Sequence, residues 1–455
     1  MFRPCTESYV YDILTTSMSQ EEKKKLTKKN NTATMKSKPS APSVTREQVE
    51  TMIRGAVSGS GSHDVAIKLF NGFMEFAHAA RASDVHLEPE DKDAVVRIRV
   101  DGILHDVFRI PHDLHRQVIA VLKIMTRMRT DEHRAPQDGR YEFTSPSGPV
   151  DVRVSVISIT NGEKAVLRLL SEESHALSLE QLGFAESDLK RVQSAIARPW
   201  GMILATGPTG SGKTTTIYAI LEIVNTREVN IATIEDPVEY DIEGVSQSQV
   251  DPAAKLTFAT GLRSIVRQDP DIIMVGEIRD EETAGIAVNA ALTGHKLLST
   301  LHTNNAAATM PRLIDMDVEP FLISSTLIVA IAQRLVRRVC RVCQKVKVVQ
   351  RSDVERILSG PLLDQLFVEG ETEIKVAEAM GCTECNDTGY RGRVGIYEVL
   401  ENTKAIQQLI VDRADADTIQ EQAIREGMTT IAQDGVLKVR EQVTTIEELV
   451  RVMSE

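Results

Sequence analysis

The stretch GMILATGPTGSGKTTTIYAI, residues 201–220, decides the fold. A short apolar run leads into a glycine-rich loop that fits G-x-x-x-x-G-K-[ST], and a helical pattern follows from Thr215 to Val224. In such a loop, backbone amides surround phosphate oxygens, the lysine neutralises the β- and γ-phosphates, and the following hydroxyl ligates Mg²⁺. The sequence therefore predicts ATP with Mg²⁺ at Gly207, Pro208, Thr209, Gly210, Ser211, Gly212, Lys213, Thr214 and Thr215.

Carboxylates follow two further apolar runs. Residues 271–276 form a buried-strand pattern that ends at Glu277, and residues 230–234 lead to Glu235 and Glu239. Because the carboxyl ends of parallel strands share one edge of a sheet, we expect these acids close to the phosphates. Hydrolysis needs a group that orients or deprotonates the attacking water. Helix capping or solvation would explain any one of these acids alone, but three acids at the ends of apolar strands make that explanation weak. We therefore treat all three as catalytic candidates.

Two histidines bracket another predicted core strand. His295 precedes the run KLLSTL and His302 follows it. A lone histidine is usually structural, but two around one strand of this domain predict contact with the γ-phosphate or with the catalytic acid. We therefore include both among the catalytic candidates.

Arginines cluster in an otherwise acidic chain. Guanidinium groups stabilise charge on a transferred phosphoryl group and are often supplied by a neighbouring domain or subunit. This predicts oligomerisation, whereas surface ion pairs explain any single arginine. Arg153 and Arg168 lie on adjacent predicted strands, and a turn connects these two strands. The set comprises Arg153, Arg168, Arg263, Arg267, Arg279 and Arg312.

Four of the five cysteines form two CxxC pairs, Cys340 with Cys343 and Cys382 with Cys385. Two such pairs supply four thiolates, which suit a tetrahedral Zn²⁺ ion in a closed, structural site. The alternatives are a redox pair or empty thiols, and the intervening segment is long for a common zinc ribbon. We predict structural zinc.

Composition excludes several classes of protein. A formal net charge of −12 over 455 residues argues against broad nucleic-acid binding, which requires a positive surface. The most apolar run, residues 321–332, is shorter than a membrane-spanning helix and predicts a buried helix instead. The first residues lack the pattern of a secretory signal. We expect a cytoplasmic protein with only peripheral membrane association.

The chain divides into four predicted parts. Lysine-rich, low-complexity sequence marks the front, a capping box at residues 45–48 begins a short helix, and the helix leads into a Gly/Ser hinge. The parts are a disordered tail and linker at 1–63, a small α/β domain at 64–172, a nucleotide-binding domain at 185–400 with the zinc module inserted at about 338–388, and a helical region at 401–455.

From residue 64 to 455 the sequence resembles the secretion ATPase superfamily, specifically the type II secretion ATPases (GspE) and the type IV pilus extension ATPases (PilB). The resemblance rests on many ordered motifs. They are residues 82–89, 99–102, 136–140, 207–214, 234–239, 269–280, 295–302 and 392–398, together with the two CxxC pairs.

This resemblance implies a RecA-like P-loop NTPase domain in a homohexamer, with ATP between the small domain of one subunit and the RecA-like domain of another. It implies that Glu239 is the catalytic glutamate and Glu277 the Walker B residue. His302 would contribute to the same site, and Arg153 with Arg168 would reach the nucleotide. Hydrolysis would turn an inner-membrane platform protein so that pilin subunits are extruded, with adaptor proteins as further partners. The front departs from the family pattern, because low-complexity sequence stands where relatives carry an adaptor-binding domain.

Two other functions remain open at this stage. A RecA-like nucleic-acid translocase would use the cysteine module as a grip, although the acidic pI and the 4% aromatic content oppose it. A scaffold that binds but does not hydrolyse nucleotide is opposed by Lys213, Thr214, Glu239 and Glu277. Within the family, pilus retraction motors lack the tetracysteine insert, so the sequence favours an extension or secretion motor.

Overall fold

The computed structural model describes residues 44–58, 63–145, 148–170, 177–358 and 360–454. Most of the predicted tail and the Gly/Ser hinge lie outside these residues. Within them, no helix combines the length and apolar character needed to cross a membrane.

A six-stranded antiparallel sheet forms the small domain, in the order β3-β2-β1-β6-β5-β4. The predicted capping box is confirmed, since the Thr45 and Gln48 side chains and backbones bond reciprocally ahead of the first helix. The elements are α1 Arg46–Ser58, α2 His63–Ala79, β1 Asp84–Pro89, β2 Ala94–Val100, β3 Ile103–Ile110, α3 His112–Met125, β4 Gln137–Ser145, β5 Gly148–Ile159 and β6 Gly162–Leu170.

One face of this sheet carries the small domain's apolar core. Leu87, Val96, Val152, Val154 and Leu167 are buried there together with apolar residues of α1, α2 and α3. The other face carries charge, because side chains alternate across a strand.

A single cross-strand row of the charged face contains four arginines. Arg140 pairs with Arg153, Arg153 with Arg168, Arg168 with Asp84, and Asp84 with Arg99. Directly paired residues lie on the same face. The row therefore places Arg153 and Arg168 on the same face of the sheet.

The RecA-like domain is a seven-stranded sheet in the order β15-β12-β7-β11-β10-β8-β9, parallel except for the antiparallel β15. Helices cover both faces, as expected where strands are continuous apolar runs. The elements are α4 Leu179–Leu182, α5 Glu186–Ala197, β7 Gly201–Thr206, α6 Lys213–Val224, β8 Ile231–Glu235, β9 Val245–Gln249, α7 Phe258–Ile265, β10 Ile272–Val275, α8 Glu281–Leu292, β11 Lys296–Leu301, α9 Thr309–Asp315, α10 Pro320–Thr326, β12 Leu327–Val339 and β15 Tyr390–Glu401.

The helix predicted for residues 321–332 is correct only in its first part. Helix α10 ends at Thr326, and Leu327 begins the long strand β12. The run LIVAIA is buried between β7 and β15, where β-branched residues pack well on both faces of a sheet. Burial on both faces removes the alternation that would have distinguished this strand from a helix.

The cysteine module interrupts the sheet between β12 and β15. It contains a two-stranded antiparallel sheet, and the C-terminal region that follows β15 is helical as predicted. The elements are β13 Lys345–Gln350, α11 Arg351–Val354, α12 Pro361–Leu366, β14 Glu373–Glu378, α13 Lys404–Val411, α14 Ala416–Arg425, α15 Ile431–Arg440 and α16 Ile446–Ser454.

Candidate active site

The phosphate loop connects β7 to α6 at the carboxyl edge of the sheet. Gly207, Gly210 and Gly212 all have positive φ, with values of 142°, 79° and 88°. A Cβ at position 207 would lie 2.4 Å from the carbonyl oxygen of Gln333. Only glycine therefore allows the loop to bend this closely over β12.

Lys213 is already held in place by the loop itself. Its Nζ donates to the carbonyl oxygens of Gly207 at 2.9 Å and Pro208 at 3.0 Å. Burial lowers the pKa of Lys213, and the charge of Glu277 opposes that shift. The ammonium group of Lys213 thus lies along the loop. A bound β- or γ-phosphate would replace its carbonyl partners with a negatively charged oxygen, which attracts the ammonium group more strongly.

Gln333 on β12 supports the loop from below, and sequence reasoning missed it. Its Nε2 donates to the carbonyl oxygen of Ser211 at 2.7 Å, and its side chain is buried. The signal that could have identified Gln333 is a single amide side chain after the apolar run of this strand. A buried polar side chain needs a hydrogen-bond partner, which indicates a supporting role.

Glu277 lies just beyond β10, beside the phosphate loop. Its carboxylate accepts from Arg279 and lies 3.3 Å from His302 Nε2. Arg279 also lies 3.9 Å from Asp236. The structure thus brings together Glu277, Arg279 and His302, and the position suits an acid that binds a Mg²⁺-nucleotide.

His295 lies at the opposite edge of the sheet. It precedes Lys296, which pairs with Gly201 at the start of β7, whereas the phosphate loop follows Thr206 at the end of β7. The separation is about 20 Å at roughly 3.3 Å per residue. Its Nδ1 is 2.8 Å from the carbonyl oxygen of Ala290. This placement contradicts the predicted role of His295 at the nucleotide and gives the ring a structural role.

Glu235 and Glu239 differ sharply although one short loop carries both. Glu235 is 2% exposed and accepts hydrogen bonds from Tyr218, Thr233 and Gln247. The side chain of Glu239 is 36% exposed. Of these two acids, only Glu239 has a carboxylate that water can reach. The predicted catalytic role therefore fits Glu239, and Glu235 fits a structural one.

Arg153 crosses from the small domain to this loop within one chain. Its guanidinium donates to the Val238 carbonyl oxygen and lies 3.5 Å from a Glu239 carboxylate oxygen. Arg168, its neighbour in the row, is 3.2 Å from Asp84 and its side chain is 62% exposed. The small domain and the ATPase domain of one chain are thus in contact through Arg153. Arg168 lies beside Arg153 on the next strand.

The four predicted cysteine ligands meet in one cluster. Their Sγ atoms all lie within 4.8 Å of one another, with Cys340 to Cys382 at 3.9 Å and Cys343 to Cys385 at 3.8 Å. Four sulfurs at about 2.3 Å from a tetrahedral zinc ion would be about 3.8 Å apart. The backbone N–H of Gly381 donates to Cys343 Sγ at 3.3 Å. The donor set fits Zn²⁺.

The parallel sheet, the phosphate loop and the acids at one edge define the class of protein: a P-loop ATPase. The chain is similar to solved structures of this class. These include DotB from Legionella pneumophila, at 21% identity over 86% of this chain and 95% of that chain with a TM-score of 0.61. The pilus retraction motor PilT with bound ADP matches at 27% identity over 84% of this chain and 96% of that chain, with a TM-score of 0.56.

Sequence comparison narrows the class to one family. Residues 60–451 match the family described as Type II/IV secretion system protein. The Type IV pilus assembly ATPase PilB of Myxococcus xanthus is 44% identical over 90% of this chain and 71% of its own length. The Type II secretion system protein E of Pseudomonas aeruginosa is 45% identical over 86% of this chain and 76% of its own. The chain belongs to this family of secretion ATPases.

Proposed function

We propose that this protein is a hexameric motor that hydrolyses Mg²⁺-ATP to drive assembly of a type IV pilus or a type II secretion pseudopilus. It would act at the cytoplasmic side of the inner membrane through a platform protein and adaptor proteins. The observation that carries the proposal is the phosphate loop with Lys213 held along it and Glu277 close enough to act on its charge. The contact between Arg153 and Glu239 adds a second charged pair, which joins the small domain to the ATPase domain.

In this proposal each side chain has a distinct role. Lys213 and the loop amides bind the β- and γ-phosphates, and Thr214 with Glu277 would hold Mg²⁺, which neutralises phosphate charge. Glu239 orients or deprotonates the attacking water. Arg153, and Arg168 beside it, stabilise negative charge that develops on the γ-phosphate.

Mechanical work requires that nucleotide binds open and closed clefts with different affinity. Arg153 would make closure of the cleft depend on the bound nucleotide. Its contact with Glu239 joins the two domains, and a γ-phosphate would compete with Glu239 for the same guanidinium. Cycles of closure in a ring would then move the small domains relative to the ATPase domains. The cysteine cluster supports an extension or secretion motor over a retraction motor.

The test is ATP turnover by the purified chain, with its mass in solution measured in the same buffer. We expect Mg²⁺-dependent phosphate release by a hexamer, and stimulation by the platform protein from the same genome but not by DNA or RNA. Stimulation by nucleic acid alone would favour the translocase. Nucleotide binding without any turnover, in the presence of the platform protein, would favour a scaffold.

A further inference from the structure

The hydroxyl group of Tyr218 lies where three parts of the active site meet. Tyr218 belongs to α6, five residues after Lys213, and is fully buried. Its hydroxyl donates to Glu235 Oε2 at the end of β8. The same oxygen accepts the backbone N–H of Glu239 at 3.4 Å. The side chain of Tyr218 therefore links the helix that follows the phosphate loop to the end of β8 and to the loop that carries Glu239.

The direction of these bonds follows from the protonation of Tyr218. Burial, and then the negative charge of Glu235, raise the pKa of Tyr218 above its ordinary value. The hydroxyl stays protonated at neutral pH and has one proton to donate. That proton goes to the carboxylate, which leaves the oxygen lone pairs for the N–H of Glu239 and for Gln247 Nε2 at 3.5 Å.

Glu235 completes the arrangement on the sheet side. Its second oxygen, Oε1, accepts Thr233 Oγ1 at 2.5 Å and Gln247 Nε2 at 3.1 Å. Gln247 Oε1 in turn accepts the backbone N–H of Ile242 at 2.7 Å. With both oxygens occupied and the residue 2% exposed, Glu235 fixes neighbouring groups and does not contact water for hydrolysis.

We call residues 236–240 the Glu239 loop. Its inner side is fixed by Tyr218 through the N–H of Glu239 and by Gln247 through the carbonyl oxygen of Tyr240 at 3.1 Å. Its outer side is held by Arg153, which bonds the Val238 carbonyl oxygen and the Glu239 carboxylate. The loop therefore connects the phosphate-binding helix to the small domain.

We propose that Tyr218 is a positioning residue that couples α6 to the Glu239 loop, and through that loop to Arg153 of the small domain. This inference rests on ATP hydrolysis at the proposed site. A shift of α6 when phosphate is bound or released moves the hydroxyl, and the hydroxyl moves the backbone of Glu239. The small domain thereby senses the state of the nucleotide through a contact that involves no phosphate.

The first test is Tyr218→Phe, which removes one oxygen and keeps the ring. Lys213 and the loop amides are untouched, so we expect the Kd for ATP to change by less than about threefold, whereas kcat falls about tenfold or more because the Glu239 carboxylate is misplaced. Tyr141→Phe is the matched control. Its hydroxyl is also buried and has no hydrogen-bond partner among the described residues, so its kcat should equal that of the wild type.

A double-mutant cycle distinguishes coupling from a merely structural role. We expect the loss of kcat caused by Arg153→Ala to be at least about threefold smaller in a Tyr218→Phe background than in the wild type. Loss of packing or stability alone would leave the two effects independent. An additive cycle, or wild-type kcat in Tyr218→Phe, overturns the inference.

A second variant covers the case in which Tyr218→Phe does not fold. Glu235→Gln weakens the same hydrogen bond while conserving shape, so it should give the same non-additivity with Arg153→Ala, and additivity again contradicts the coupling. Absence of turnover in the wild type would instead count against the proposed function, so the two failures are distinguishable.

Discussion

The nucleotide site and the cysteine cluster both depend on β12, but they differ in how complete they are without a ligand. At the nucleotide site, Lys213 is held by carbonyl oxygens and Glu277 by Arg279 and His302. In the cluster, the four thiols face one another, with Sγ atoms that all lie within 4.8 Å of one another. At the first site an incoming ligand would displace internal partners, whereas the donor set of the second suits a cation that stays bound.

The two sites are also physically connected. Gln333 of β12 bonds the phosphate loop, and Val339 at the end of the same strand leads directly into Cys340. On the partner strand β15, Glu398 Oε1 accepts the backbone N–H of Ala306 at 2.8 Å, in the loop that follows His302. A defect in the cluster is therefore expected to weaken the fold first and the nucleotide site only through these strands.

The largest expected effect is on the nucleotide side. Lys213→Ala removes the cation that binds the β- and γ-phosphates, and we expect turnover to fall by at least about 100-fold. The measurement is phosphate release at saturating ATP. Lys190→Ala is the control, because Lys190 is exposed and forms a surface ion pair with Glu186. Turnover within tenfold of the wild type would show that the site does not depend on this cation.

The next effect is on the cysteine side and concerns stability. Cys340→Ser should abolish stoichiometric zinc and lower the melting temperature by more than about 5 °C, because metal binding contributes folding free energy. Metal content and thermal melting are the measurements. Cys5→Ser, outside the cluster sequence, is the matched control. Unchanged melting with no bound zinc in either protein would show that the cluster needs no cation.

The smallest expected effect concerns a buried acid on α5, the helix that precedes β7. Asp188 is fully buried and lies 3.0 Å from Arg191, and burial raises its pKa to about 6. The folded protein thus binds this proton more tightly than the unfolded chain does. Stability from this group is greatest below about pH 4 and is lost as pH rises to about 6, by roughly 1–3 kcal/mol.

Asp188→Asn should therefore flatten the change in the free energy of unfolding between pH 4 and 6. Asp113→Asn is the control, since the Asp113 side chain is 83% exposed. Denaturant melts at several pH values provide the measurement. A pH dependence identical to that of the wild type would assign it to other groups.

Much of the nucleotide site was readable from the sequence, because its signals are local. The phosphate loop needs glycines at fixed spacing, and Glu277 follows an apolar strand whose partner strands share its edge. The cysteine pairs were equally readable, since each CxxC places two thiols side by side, although the pairing of β12 with β15 is what brings the two pairs together. Local pattern was sufficient wherever one segment determines the geometry.

The rest depends on contacts between distant segments. The sequence placed Glu235 and Glu239 together as candidates, but only the packing of Tyr218 and Gln247 separates a buried acceptor from an available acid. His295 looked equivalent to His302 because both flank one apolar run, although its position before β11 puts it at the edge of the sheet opposite the phosphate loop. Arg153 was expected to reach a neighbouring subunit, and its contact with Glu239 in the same chain depends on how the two domains pack.

The row of arginines on the small sheet limits how this domain can change in evolution. Arg153 faces the cleft because it lies an even number of residues from Asp151 and Ser155 along β5, while Val152 and Val154 face the apolar core. Loss or gain of a single codon within this strand would exchange the two sets and place valine against Glu239. Length variation tolerated by the β5–β6 hairpin should therefore occur in steps of two residues.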